Sequence, residues 1–325
     1  MLRLPADLSA LERARLGAPA AAPPDGGLPD LLSVRPKVAT VAYRPLESPE
    51  DGSGWSSETI YFHAPEQGWL RLNLADLALD PGGWPGPDTY GAGHLSPDGK
   101  RWAGQSAVGV VVLDLATGTA RTTRIRGGVA AISWAPDSRS VLVDSPQTNR
   151  TYYLSQPGTT RRAQRLPFRL LGSAFRGEGI VHITATRDGA AEVRRWRKLP
   201  PSGEPETSTA AKEIVEGRTF GSAYFPREDD GPFVATLGET GQQLGRMSAD
   251  GQRVEAVLRP GKGTFFVKYL GFGPRGYFLA LTPEALIAWQ PGSGELRWAF
   301  APGTGPWSTN AYDAWDISVA LDHIG

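Results

Sequence analysis

Aromatic and acidic residues concentrate in three stretches of this 325-residue chain. Residues 45–57 carry Glu47, Glu50, Asp51 and Trp55. Residues 76–91 carry Asp76, Asp80, Trp84, Asp88 and Tyr90, and residues 301–314 carry Trp307, Tyr312 and Asp313. None of the three holds a Lys or Arg. Trp and Tyr present flat apolar faces that anchor a partner, and carboxylates around them favour a cation or a hydroxyl-rich ligand. Trp55, Trp84, Tyr90, Trp307, Tyr312, Asp51, Asp88 and Asp313 are therefore the candidate ligand- or partner-binding residues. Two other readings use the same side chains. The aromatics can simply pin their loops to a sheet edge, or the carboxylates can act as an acid–base pair on a glycan.

Other chemistry finds little support. With Cys 0 there is no disulfide, thiolate nucleophile or cysteine zinc site. The four histidines, His63, His94, His182 and His323, show no metal-ligand spacing, so neither a metal nor a catalytic residue is assigned. Asp98-Gly99, Asp188-Gly189 and Asp250-Gly251 read as turns, because Gly tolerates positive φ and Asp bonds its own backbone. No nucleophile elbow, phosphate loop or dinucleotide fingerprint is present, and no cofactor is expected. Arg161, Arg162, Arg165 and Arg169 form one basic run, and Arg194, Arg195, Arg197 and Lys198 another; both read as solvated outer-strand faces. Lys plus Arg is 34 and Asp plus Glu is 34, a balance that gives no reason to expect nucleic acid. No apolar run approaches the ~20 residues that cross a bilayer, and the N-terminus has no continuous apolar core of a signal peptide. The expectation is a chain that does not itself insert into a membrane.

The elements that must position these residues are short strands. Runs rich in Val, Ile, Phe, Tyr and Trp recur between Gly, Pro, Asp and Ser: Lys37–Tyr43, Thr59–Ala64, Val108–Asp114, Val129–Trp134, Ser140–Asp144, Gly179–Thr184, Pro232–Leu237, Thr264–Leu270, Tyr277–Leu281 and Ala285–Trp289. One series of turns ends at glycines 68, 118, 158, 203, 251 and 294, spaced 40–50 residues apart. That is the period of a propeller blade, repeated six times. A second series, at 96–99, 135–138, 175–179, 225–231 and 272–276, interleaves with the first. With strands labelled a to d, the second series is the a–b turn and the first the c–d turn. The first unit lacks a strand a, and the chain ends in one spare strand, Trp315–Asp322. The expected fold is all-β: a six-bladed β-propeller of four-stranded blades, closed by the C-terminal strand joining the first blade. Seven blades would need extra strands from 301–314. All three acidic, aromatic stretches are then b–c or d–a loops around blade one, on one face. Residues 1–30 read as a short helix, from the capping pattern of Ser9 and Glu12, followed by an Ala/Pro linker; the propeller occupies 31–325.

Ser96–Gly104 (SPDGKRWAG), Ile132–Val143 (ISWAPDSRSVLV) and Val111–Gly118 (VVLDLATG) resemble the WD-repeat-like and TolB-type β-propeller family. The Ala/Arg/Gly/Pro bias resembles propeller proteins of high-GC actinobacteria, which often sit outside the membrane behind an N-terminal anchor. The resemblance implies binding or scaffolding more than any one reaction. The expectations are a non-enzymatic module for a protein or peptide partner, then a glycan-binding or glycan-active domain, then a structural ectodomain.

Overall fold

The computed structural model describes residues 2–3, 27–44, 59–77, 93–106, 108–129, 131–145, 147–155, 163–166, 173–176, 178–185, 191–201, 203–210, 223–224, 226, 231–237, 243–261, 265–266, 268–282, 285–300 and 317–323. It is an all-β six-bladed propeller. Apart from β1 (Leu2–Arg3), the strands run blade by blade. Blade one contains β2 (Val41–Tyr43), β3 (Thr59–Ala64) and β4 (Gly68–Asn73). Blade two is β5 (Gly93–Leu95), β6 (Arg101–Ser106), β7 (Gly109–Asp114) and β8 (Thr119–Arg124). Blade three is β9 (Ala131–Trp134), β10 (Ser140–Ser145), β11 (Arg150–Ser155) and β12 (Gln164–Arg165). Blade four is β13 (Ser173–Arg176), β14 (Gly179–Ala185), β15 (Ala191–Trp196) and β16 (Glu206–Ala210). Blade five is β17 (Ala223–Tyr224), β18 (Phe233–Leu237), β19 (Gln243–Met247) and β20 (Val254–Arg259). Blade six is β21 (Lys268–Phe272), β22 (Phe278–Leu281), β23 (Leu286–Gln290) and β24 (Glu295–Phe300).

The missing strand of blade one is β25 (Ile317–Val319), which pairs antiparallel with β2 through Val41↔Val319, Ala42↔Ser318 and Tyr43↔Ile317. The C-terminal strand thus completes the first sheet, as the turn count requires. Both turn series fall where expected in the described residues. Most strands shift at a boundary by one or two residues, and two begin four residues later than expected. The run Lys37–Tyr43 pairs only over 41–43, because Arg35 is left-handed (φ 53) and Ala39 donates instead to the Gly99 carbonyl (2.9 Å). The run Thr264–Leu270 gives way to Lys268–Phe272, where a bulge between Tyr269 and Gly271 extends the pairing to Phe272.

Burial explains the strand sequences. β7, β10 and β22 are near-continuous apolar runs buried on both faces. A middle strand covered on both faces has no solvent side, so it does not alternate. Outer β8 (TARTTR) is exposed except at Thr123.

The chain divides into two compact units. One, residues 15–167, 283–285 and 299–325, holds blades one to three. The other, residues 1–14, 168–282 and 286–298, holds blades four and five and nearly all of blade six. In the first unit, Phe62, Leu70 and Leu72 of blade one pack with Trp102, Val111 and Leu113 of blade two. The Phe62 and Trp102 rings meet edge to face at 6.4 Å. Val110 and Val112 then pack with Ile132, Trp134, Val141 and Val143 of blade three. In the second unit, Tyr224 lies 5.1 Å from Phe278 and 6.0 Å from Tyr269, ring to ring.

The N-terminus holds a feature the sequence did not announce. Leu2 and Arg3 pair in parallel with Leu258 and Arg259, adding a fifth strand to blade five. The expected short helix and Ala/Pro linker lie within 4–26, outside the described residues. From Pro29 the chain lies on β4, with Arg71 N–H donating to the Pro29 carbonyl (2.9 Å). A single helical turn, α1 (Leu31–Val34), follows, capped by Asp30, which accepts from Ser33 N–H at 2.8 Å.

Candidate partner-binding face

Trp55, Trp84, Tyr90, Trp307, Tyr312, Asp51, Asp88 and Asp313 all lie outside the described residues. What the structure does show is where their segments are rooted. Residues 45–58 leave from β2 and return to β3. Residues 78–92 leave after β4 and return to β5, and residues 301–316 run from β24 into β25. The register brings these roots together. Tyr43, the last residue of β2, is opposite both Ile317 and Tyr61, and Thr59 is opposite Asn73, the last residue of β4. In antiparallel sheets these are all the same end of blade one. β5 runs alongside, held where Leu95 N–H donates to Ser318 Oγ (3.0 Å) and Asp322 N–H to the Pro97 carbonyl (2.9 Å).

Two of the roots are buried. Tyr43 is 2% and Ile317 0% exposed. At the exit of β4, Asn73 Oδ1 accepts from Ala75 N–H (3.0 Å) and turns the chain into a single 3-10 turn, Leu74–Leu77. Leu74 and Leu77 are buried in it, leaving Asp76 exposed. Arg44, 3% exposed, places one buried positive charge where residues 45–58 begin. Sequence reasoning missed it, because pattern alone does not show a buried charge. Blade two closes the matching position tightly: Ser106 Oγ accepts from Gly109 N–H and donates to the Gly109 carbonyl, each at 3.1 Å.

Among the described residues the contacts of the histidines are those of packed side chains and turns. His63 bonds Thr40 Oγ1 through Nδ1 (3.0 Å), meets the Trp69 ring edge to face, and has its pKa lowered by burial. Burial, then the Arg194 charge, pushes His182 down to about 4. The His94 carbonyl accepts from Trp134 Nε1 (2.9 Å), and His323 Nε2 donates to the Asp98 carbonyl (2.9 Å). Among the described residues no group of three His, Asp or Glu could hold a metal ion. No helix among them is long and apolar enough to cross a membrane.

The Asp-Gly turns do what their residue types suggest. Ser96 Oγ donates to Asp98 Oδ1 (2.7 Å) and accepts from Arg101 N–H (3.0 Å), and Asp98 Oδ1 also accepts from Lys100 N–H (3.2 Å). Ser248 and Asp250 repeat the wiring with Gln252 and Arg253. Asp188-Gly189 lies outside the described residues. The basic runs divide. Arg165 is on outer β12 and exposed, whereas Arg194 and Arg195 sit on β15, inside β16. Arg194 pairs with Glu192, and Arg197 with Glu206 (2.5 Å).

No protein-family model and no curated protein sequence matches the chain. Solved structures do. An acylaminoacyl peptidase from Pyrococcus horikoshii is similar at 14% identity and TM-score 0.50, over 85% of this chain and 48% of the peptidase. This chain therefore spans about half the peptidase's length. A chain of a nidogen/laminin complex is similar at 11% identity and TM-score 0.53, over 87% of this chain and 98% of that one. TolB from Acinetobacter baumannii is similar at 17% identity and TM-score 0.46, over 81% and 67%. What is shared is the fold.

Proposed function

We propose that the chain is a non-enzymatic binding module that holds a protein or peptide partner at the end of blade one, through its three acidic, aromatic segments. The observation that carries this reading is the convergence of their roots. Tyr43, Ile317, Thr59 and Asn73 stand at one end of one sheet, so each of the three segments has at least one root there. Burial of Tyr43 and Ile317 anchors the sheet end from which the segments extend, an arrangement suited to recognition. Seven carboxylates without a Lys or Arg favour a partner presenting basic side chains, with the tryptophans as apolar anchors. The similar propeller chain from the nidogen/laminin complex, itself part of a protein assembly, supports the same class of function.

The test is a cross-linked pull-down from the native organism, comparing wild type with the Trp55→Ala/Trp84→Ala/Trp307→Ala variant by mass spectrometry. The expected result is a protein partner lost only in the variant, with both proteins melting cooperatively. Equal recovery from both would exclude this face. An empty pull-down from both would remove the stable protein partner and send the search to glycans.

A further inference from the structure

We propose that the outer edge of blade two, with the seam it shares with blade three, docks an extended acidic segment of a partner protein. The site is separate from the end of blade one and is built wholly of described residues. β8 is the last strand of its sheet, and its exposed residues include Arg121 and Arg124. No Asp or Glu occurs from residue 115 to residue 136.

Pairing fixes which side chains line the seam, because directly opposed residues of an antiparallel pair share a face. Arg121 is opposite Val112, and Val112 packs in the cluster that joins blades two and three. Arg165 is opposite Tyr152, which packs against that cluster from the blade-three side, and Arg150 lies two residues from Tyr152 on the same face. Arg121 and Arg165 are exposed on the faces that blades two and three turn toward this cluster, with Arg150 half-buried on the same face as Arg165. Among the described residues the neighbouring carboxylates do not neutralise them. Asp144 is on the other face of β10, accepting from Thr151 Oγ1 (3.2 Å). Asp114 shares the Arg121 wall, but it already accepts from the Thr117 amide and hydroxyl and lies 3.9 Å from Arg101. Arg121, Arg150 and Arg165 have no ion pair among the described residues, unlike Arg101, Arg194, Arg197, Arg246 and Arg297.

The rest of the molecule shows how such an edge is used. Outer β4 bonds the Pro29 carbonyl and forms a parallel bridge with Asp30, and outer β20 pairs in parallel with Leu2 and Arg3. Two blades thus take an added extended segment on their outer strands, whereas β8 carries none among the described residues. A peptide laid on β8 would satisfy the free backbone groups of the edge, and its alternate side chains would face Arg121 and Arg165. Guanidinium groups fork onto carboxylates, which selects Asp and Glu at those positions. The edge also selects a peptide over another polyanion, since only a peptide backbone returns its hydrogen bonds.

The test titrates the full chain with a fluorescent ten-residue peptide of alternating glutamate and valine. Saturable binding is expected, weakened about tenfold or more in Arg121→Glu/Arg165→Glu, and lost when alternate amides of the peptide are N-methylated. The Trp55→Ala/Trp84→Ala/Trp307→Ala variant should bind the peptide as wild type does, which separates this site from the end of blade one. If the double reversal does not fold, Arg121→Gln/Arg165→Gln replaces it with the same expectation. Absent binding, or wild-type affinity in a folded double variant, overturns the proposal. So does a ten-nucleotide single strand that binds as tightly as the peptide, or an N-methylated peptide that binds unchanged, because either makes the arginines a general polyanion surface.

Discussion

Ser96 shows how one hydroxyl closes a turn. It is fully buried, donates to Asp98 and accepts from Arg101 N–H, while Asp98 N–H donates to Ser138 Oγ of the next blade (2.9 Å). Ser96→Ala leaves Arg101 N–H without this acceptor and should cost about 1–2 kcal/mol; an unchanged urea midpoint would contradict the role. Residue type made this turn legible, since Asp before Gly needs only its own backbone. His182 was not legible in that way. Its low pKa depends on burial and on Arg194, which reaches it only through the pairing His182↔Arg194. The folded state keeps His182 neutral where the unfolded chain would take a proton. Its stabilising contribution is full above pH 6.5 and is lost as pH falls toward about 4. Denaturation midpoints measured across that window should fall with pH, and His182→Gln should flatten the slope. An equal slope in the variant would assign the effect to other groups.

Among the elements, the strands buried on both faces were the easiest to read. β7 (GVVVLD) and β10 (SVLVDS) are apolar, β-branched and bounded by turn residues. Short strands at blade edges were harder. β1 is two residues long, and its pairing with β20 has no local signal in the sequence, because the partner is more than 250 residues away. β25 was legible for a different reason: a blade lacking one strand and a chain end with one to spare. Its anchoring can be measured. Ser318 Oγ accepts from Leu95 N–H inside the first unit, so Ser318→Ala should cost about 1 kcal/mol. Removing residues 315–325 should leave the β2 edge open and produce aggregation-prone protein by light scattering. Gly104 is a tight packing constraint on β6. A Cβ there would fall 2.0 Å from the Trp102 ring, so Gly104→Ala should cost about 1–3 kcal/mol, read from the same urea titration. Wild-type stability would show that the ring can move aside.

For the whole molecule, a net charge of zero conceals segregation. Blade one carries acidic segments without a basic residue, and the stretch from 115 to 136 is basic without an acidic one. The neutral total gave no reason to expect a general polyanion binder, but it hid two kinds of stretch of opposite sign. The fold came from turn spacing, which repeats because every blade needs the same two tight turns. The proposed partner site has no such trace, because its residues sit in segments whose length and composition are not repeated. The location proposed for the site nevertheless follows from the fold, since b–c and d–a connections of one blade share an end. That claim is tested most directly by zero-length carboxylate–amine cross-linking of the native complex, followed by peptide mapping. The account predicts partner lysines joined to Glu47, Glu50, Asp51, Asp88 or Asp313. Cross-links confined to Asp98 and Asp137, in the a–b turns at the other end of the sheets, would contradict it.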